Sequence, residues 1–341
     1  MTCSWRVRCG MILAMLSMLA LCFQAKAQSY HVVNRWTIGG EGGWDYLQMD
    51  SQAHRLYIAH GPKVDVVDTD TGKLVGSIKG LQGTHCVVLD PDGKIGYISD
   101  GRGNAIVVFD RASLAVLARI PAGTGPDGMT YEPVTKTEWA FNGRSQNVTV
   151  ADGQARKVVA TIALPGRPEF PVADGRGNVF DNIESKNEIV RLNARKHSVS
   201  AVWPLTGCDS PSGLAIDSAG HRLFSVCDNQ KMVVMDSRNG KILGTVPIGD
   251  GPDATRYDAQ HKVAFSPNGG SGTLTIVDSS KPDYPVVQTV TTEKGARTMA
   301  LDNATGDVFL VTAKFGPSTP GQPRWRRSIV PGSFTVIEVA P

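Results

Sequence analysis

No apolar run in this chain of 341 residues is long enough to cross a membrane. The longest run, at residues 11–23, follows Arg6 and Arg8 and precedes a small-x-small triplet at residues 25–27. That order is typical of a secretory signal peptide with its cleavage site. We therefore expect residues 1–27 to be a signal peptide, the product to be periplasmic or secreted, and no membrane span to remain after cleavage.

A net charge of one sign is also missing from the predicted product. The whole chain has a formal net charge of +3, and Arg6, Arg8 and Lys26 of the predicted signal account for it. A neutral product has no general attraction for polyanions or for anionic membrane surfaces. This argues against nucleic acid as a partner.

Cysteine is scarce in the predicted product, which keeps only Cys86, Cys208 and Cys227. An odd number in an oxidising compartment permits at most one disulfide within the chain. Cys208 and Cys227 border the two strands of one predicted hairpin, so this pair could be joined, and the sequence leaves open whether it is. Cys86 is then most simply a small buried residue.

A sustained helical stripe of apolar residues is absent, and the chain has a short repeat instead. An apolar segment that ends in Asp, Asn or Glu recurs about every 42 residues, with one last interval of about 60, at residues 64–68, 106–110, 148–152, 189–193, 232–236, 274–278 and 334–338. Such β-branched segments between Gly, Asn and Asp turns are typical of four short strands per unit. Seven units predict an all-β fold, a seven-bladed β-propeller with four antiparallel strands in each blade.

The repeat also carries a succession of motifs. G-x-x-P-x-x-apolar, as at residues 123–129, is followed by D-x-x-G, apolar-Y-apolar and apolar-V-apolar-D. In this succession the chain resembles the YVTN/YncE-like repeat family over essentially all of residues 28–341. The resemblance implies that these residues are one exported bacterial seven-bladed propeller. Propellers host binding proteins, lyases and hydrolases alike, so the fold does not assign an activity.

The two ends of the repeat are incomplete in complementary ways. Residues 334–339 have no outer strand after them, whereas residues 32–38 match the outer-strand pattern with no blade before them. Pairing these segments would close the ring and leave no exposed edge.

One position in each unit lies at the start of the innermost strand, five residues before the acid that ends it. We name this set the channel ring: Asp45, His85, Asp127, Glu169, Ser212, Asp253 and Arg297. Carboxylates clustered at a channel mouth attract cations or polyhydroxyl ligands. We expect the ring to bind a small polar or cationic ligand, or a periplasmic protein; the alternative is that these acids only bond turn amides.

The loop after the second strand adds further candidates, His60, Asp100 and Lys314. Two imidazoles, His60 and His85, together with carboxylates could bind a divalent transition metal, so we keep such an ion as a candidate cofactor. The alternative is that His60 is an ordinary hydrogen-bonded residue.

The long last interval places a loop at about residues 314–333. It contains Trp325 between arginines, a combination that could close over an anionic or aromatic ligand. The alternative is a solvated, proline-stiffened loop over a blade junction.

Two functions follow from these candidates. The first is a binding protein that presents the channel ring to a ligand or a protein. The second is a lactonase-like lyase or hydrolase at the same mouth, metal-assisted or not, in which ring acids or His85 serve as acid, base or metal ligand. The sequence assigns no catalytic residue and leaves open whether the chain is an enzyme.

Overall fold

The computed structural model describes Met1 and residues 29–317 and 328–341. The predicted signal segment and Trp325 lie outside the described residues, Met1 apart. The described residues form 28 strands in seven four-stranded antiparallel sheets, with one 3-10 turn at Glu184–Lys186. Within them, no helix is both long enough and apolar enough to span a bilayer. The predicted seven-bladed β-propeller is confirmed.

The strands of the first half of the chain are β1 His31–Thr37, β2 Trp44–Asp50, β3 Arg55–His60, β4 Lys63–Asp68, β5 Lys73–Ile78, β6 Thr84–Leu89, β7 Ile95–Asp100, β8 Ala105–Asp110, β9 Val116–Pro121, β10 Pro126–Glu132, β11 Thr137–Asn142, β12 Asn147–Asp152, β13 Lys157–Ala163 and β14 Pro168–Ala173. Those of the second half are β15 Asn178–Ile183, β16 Glu188–Asn193, β17 Ser198–Pro204, β18 Pro211–Asp217, β19 Arg222–Cys227, β20 Lys231–Asp236, β21 Ile242–Pro247, β22 Arg256–Asp258, β23 Val263–Asn268, β24 Thr273–Asp278, β25 Val286–Thr291, β26 Met299–Leu301, β27 Val308–Thr312 and β28 Thr335–Ala340.

Blades one to six are consecutive groups of four strands that begin at β2, β6, β10, β14, β18 and β22. Blade seven consists of β26, β27 and β28, with β1 as its outer strand. In that sheet, Arg35 of β1 pairs with Ile337 of β28. The hydrogen-bonding edge of β28 is therefore covered by a strand from the other end of the described chain.

The core lies between neighbouring blades. The second strand of each blade carries one large aromatic residue in the same register, and each is at most 2% exposed: Tyr57, Tyr97, Trp139, Phe180, Phe224, Phe265 and Phe309. A buried aromatic side chain removes a large apolar area from water, and such burial dominates core energetics. These recurring aromatic side chains are therefore the main source of packing energy between neighbouring blades.

Glycines allow the inner strands to approach each other at the channel. A Cβ on Gly213 of blade five would lie 2.5 Å from the carbonyl carbon of Ala254 in blade six, and one on Gly128 would lie 2.4 Å from the carbonyl oxygen of Glu169. These neighbours are backbone atoms, which cannot rotate away. The narrow channel thus depends on the absence of a side chain at these positions.

Blade five contains the disulfide that the sequence left open. Cys208 precedes β18 and Cys227 ends β19, and the structure joins them with a Cα–Cα distance of 5.4 Å. Cys86 is buried and free.

Candidate functional site

The channel ring lies at the end of the channel where the inner strands begin. In β2, β6, β10, β14 and β18 the pairing with the second strand shifts register between the first and the fourth residue of the inner strand. In these five strands the ring residue is the second residue and falls inside the bulge, whereas Asp253 and Arg297 precede β22 and β26. Because a bulge re-aims side chains, five blades deliver their ring residue in the same way.

His85 connects three blades. Its Nδ1 lies 2.6 Å from Oδ2 of Asp45 and 3.5 Å from Oδ1 of Asp127. Burial by itself would lower the pKa of His85, but the hydrogen bond with Asp45 and the charges of both carboxylates outweigh it and raise this pKa to about 9. At neutral pH His85 is therefore an imidazolium held between two acids.

Arg297 is the second cation of the ring. Its Nε donates to Oδ2 of Asp253 at 2.7 Å, and one terminal nitrogen donates to the backbone oxygen of Trp44 at 3.0 Å. The guanidinium carbon lies 5.6 Å from the centre of the Trp44 ring, so the group is fixed by an aromatic face as well. Burial raises the pKa of Asp253 to about 6 despite this partner.

The remaining two acids of the ring are less well compensated. Burial, more than any neighbour, raises the pKa of Asp127 to about 7 and that of Glu169 well above its ordinary value, and the charges of other ring acids raise both further. Glu169 accepts a hydrogen bond from the Tyr46 hydroxyl at 3.3 Å and forms no ion pair within the described residues. Four carboxyl groups thus share two cations, and some of them keep protons for lack of a positive partner.

A group suited to a metal ion lies within the ring. One ligand atom each from Asp45, His85 and Asp127 lie within 4.8 Å of one another. Two carboxylate oxygens and one imidazole nitrogen are a donor set that divalent first-row metals accept. An ion there would have to displace the proton that His85 shares with Asp45.

His60 is not part of this group. It is fully buried; its Nδ1 lies 2.8 Å from Oδ2 of Asp65, and its ring stacks 4.1 Å from that of Phe334. In the sheet of blade one, His60 pairs with Trp44, the residue before ring residue Asp45. His60 and Trp44 therefore both lie against the blade interface. The structure does not bring His60 and His85 together as the sequence prediction of a shared ion required.

The other predicted ligand residues have different surroundings. Asp100 is fully buried; its Oδ1 accepts from the amides of Gln82 and Gly83, both at 2.9 Å, and its Oδ2 accepts from Arg119 at 2.9 Å. It therefore anchors the loop before β6 and presents no open oxygen to a ligand, in contrast to the prediction. Lys314 is exposed at the start of the long loop, where its backbone oxygen accepts from the amide of Val330 at 2.8 Å.

Sequence reasoning missed Tyr46 as a member of this site. It is 2% exposed, bonds Glu169 across the channel, and packs edge-on against Phe170 with ring centres 4.8 Å apart. Its only signal in the sequence is its position immediately after ring residue Asp45.

Fold and site together define a seven-bladed β-propeller with a mixed acidic and cationic channel mouth. No protein-family model matches the chain. It is 24% identical to the uncharacterized protein YncE of Salmonella typhi over 178 residues, 50% of this chain and 49% of that protein. It is 26% identical to YncE of Escherichia coli K12 over 161 residues, 44% of this chain and 45% of that protein. The chain spans about half the length of these relatives, and the resemblance to YncE-like propellers is supported to that extent.

Two solved structures share the fold at low sequence identity. A chain of Kuenenia stuttgartiensis hydrazine synthase superposes with a TM-score of 0.72 and 17% identity, over 80% of this chain and 93% of that one. The WD40 repeats of RRP9 superpose with a TM-score of 0.75 and 12% identity, over 92% and 98%. Likeness at these identities describes the architecture alone.

Proposed function

We propose that this protein is an exported binding protein that takes up a small organic cation at the channel ring. The observation that carries the proposal is the deficit of positive charge around Glu169 and Asp127. A cationic group between them would stabilise both as carboxylates and displace the protons that burial leaves on them. The ligand class is therefore an ammonium or a similar compact cation.

Export is part of the same proposal. A disulfide between Cys208 and Cys227 fits an oxidising compartment, and the segment before residue 28 has the order of a secretory signal. These two features together support a periplasmic or secreted location.

The protonation state of His85 favours binding over catalysis with His85 as the general base. A general base must be able to accept a proton at the working pH, whereas His85 with a pKa of about 9 already holds one. The protonated imidazole instead neutralises Asp45 at 2.6 Å and reaches Asp127 at the longer distance of 3.5 Å, so that Asp127 is only partly compensated and Glu169 has no ion pair within the described residues. The channel ring thus has the properties of a cation receptor.

A divalent metal is the second candidate ligand, because Asp45, His85 and Asp127 offer three converging donor atoms. The two ligand classes require different protonation states of His85. A metal needs its neutral nitrogen, whereas an organic cation is repelled by its charge. His85→Ala should therefore abolish metal binding and leave amine binding equal or tighter.

Isothermal titration of 1,4-diaminobutane and of Mn²⁺ into the purified protein tests the proposal. We expect the diamine to bind, and Glu169→Gln and Asp127→Asn each to weaken it at least about tenfold, because each removes a charge-assisted contact. Glu293→Gln is the matched control, since Glu293 pairs with Arg35 on the surface of the outer strands. Diamine binding that is absent, or unchanged in both ring variants, would exclude the channel ring as a cation receptor.

A further inference from the structure

A second cavity occupies the other half of the channel, where the inner strands end. Its volume is about 450 Å³, within the range of small-molecule sites. All seven blades line it at one register position, the residue that pairs with the recurring aromatic of the second strand: Gln48, Val88, Thr130, Val172, Ala215, Arg256 and Ala300. Six of these are neutral, and Arg256 is the one charged residue among them.

Arg256 has no acidic partner in the part of the chain that the structure describes. Its terminal nitrogens donate to the backbone oxygens of Thr255 at 3.0 Å and of Leu47 at 3.4 Å. Its guanidinium carbon lies 4.9 Å from the centre of the Phe170 ring. Arg256 is half-buried, and this burial lowers its pKa.

The walls of the cavity set the kind of ligand. Apolar side chains from several blades, among them Val88, Val172 and Leu301, line the cavity together with uncharged polar ones such as Gln48 and Thr130. An arginine without an acidic partner in such a cavity is suited to one planar anion attached to a largely apolar body, because the guanidinium fork matches a carboxylate in geometry and charge. A polyanion would require more than the single positive charge at this position.

We propose that this cavity is a second binding site that takes a small carboxylate with an apolar body, anchored by Arg256. It lies beyond the channel ring: Phe170, which contacts Arg256, also packs on Tyr46, and Tyr46 bonds ring residue Glu169. The two sites therefore have opposite charge preferences and meet at a shared pair of aromatic rings. This site does not depend on whether the ring binds a cation.

Binding of benzoate to the full-length protein, followed by titration calorimetry or ligand-observed NMR, tests this site. Benzoate should bind saturably, and benzamide, which has the same shape without the charge, should bind at least about tenfold more weakly. Arg256→Gln should weaken benzoate by a similar factor. Arg238→Gln is the matched control, because Arg238 pairs with Asp236 far from the cavity residues.

A variant that keeps Arg256 provides a second test in case Arg256→Gln does not fold. Val172→Phe fills the cavity from blade four and should also weaken benzoate, while Glu293→Gln, at the surface ion pair with Arg35, should leave it unchanged. Equal binding of benzoate and benzamide to the wild-type protein, or full benzoate binding by folded Arg256→Gln, would overturn the proposal. If Arg256→Gln does not fold, full binding by Val172→Phe would overturn it.

Discussion

His85 shows how this fold converts a titratable side chain into a fixed cation. The residue belongs to blade two, but its partners Asp45 and Asp127 come from blades one and three. Such a contact exists only because equivalent positions of successive blades meet at one axis. The pKa of His85 is therefore a direct measure of how closely the channel-ring residues of blades one, two and three approach each other.

We predict that an NMR titration of His85 in the folded protein gives a pKa of about 9. In Asp45→Asn the pKa should move toward the ordinary value of about 6.5, because the strongest hydrogen bond to the imidazolium is lost. Glu293→Gln, at the surface ion pair with Arg35, is the control variant and should leave the pKa of His85 unchanged. A normal pKa for His85 with Asp45 intact would contradict the geometry of the ring.

Residues of the second-strand loop were harder to predict than those of the ring. The ring is counted from the acid that ends each inner strand, and that distance is the same in every blade. The loop of blade four is shorter by one residue: Ile183 pairs with Pro168, whereas His60 pairs with Trp44 and Cys227 with Pro211 at an offset one residue longer. A fixed offset therefore misses the equivalent position in blade four. Burial of Asp100 and His60 could not be read from the sequence, since polar residues are usually assigned to the surface.

The inner strands are the elements on which the channel depends. They are bulged at the ring and packed backbone to backbone one step further, at Gly128 and Gly213. Strand count, blade order and the ring follow from the repeat, because period and turn residues encode them. The close approach of the strands at these glycines could not be predicted from the repeat, because glycine in a strand is equally typical of turns and bulges.

We predict that Gly213→Ala lowers the free energy of unfolding by about 1–3 kcal/mol, because the added methyl group would overlap the backbone at Ala254. Gly43→Ala is the matched control: no atom lies within 4 Å of its added Cβ, and its backbone is not left-handed. Urea denaturation of the two variants measures the difference. Equal stability would mean that the inner strands of blades five and six are further apart than described.

At the scale of the whole molecule, the half-buried ring makes stability depend on pH in an unusual direction. The pKa values of His85, Asp127 and Asp253 are all raised, to about 9, 7 and 6. For each group the folded state holds its proton more tightly than the unfolded state does. Stability is therefore fully present below the unfolded pKa of each group and is lost as pH rises through the folded value.

The expected result is a free energy of unfolding that falls steadily from about pH 5 to about pH 9. Acids with lowered pKa, such as Asp68 and Asp110, are ionised in both states over this range and do not offset the loss. Denaturation by urea at several pH values measures the slope, and a double Asp127→Asn, His85→Gln variant should flatten it. Stability that increases over this range would contradict the described burial of the ring.

The most direct test of the central claim is the number of protons released when a diamine binds. Titration calorimetry of 1,4-diaminobutane at about pH 6.5, repeated in buffers with different ionisation enthalpies, gives that number. We expect net release of protons, from Asp127 and Glu169, which disappears in the double Asp127→Asn, Glu169→Gln variant together with most of the affinity. Binding without proton release, or release that persists in the double variant, would contradict it.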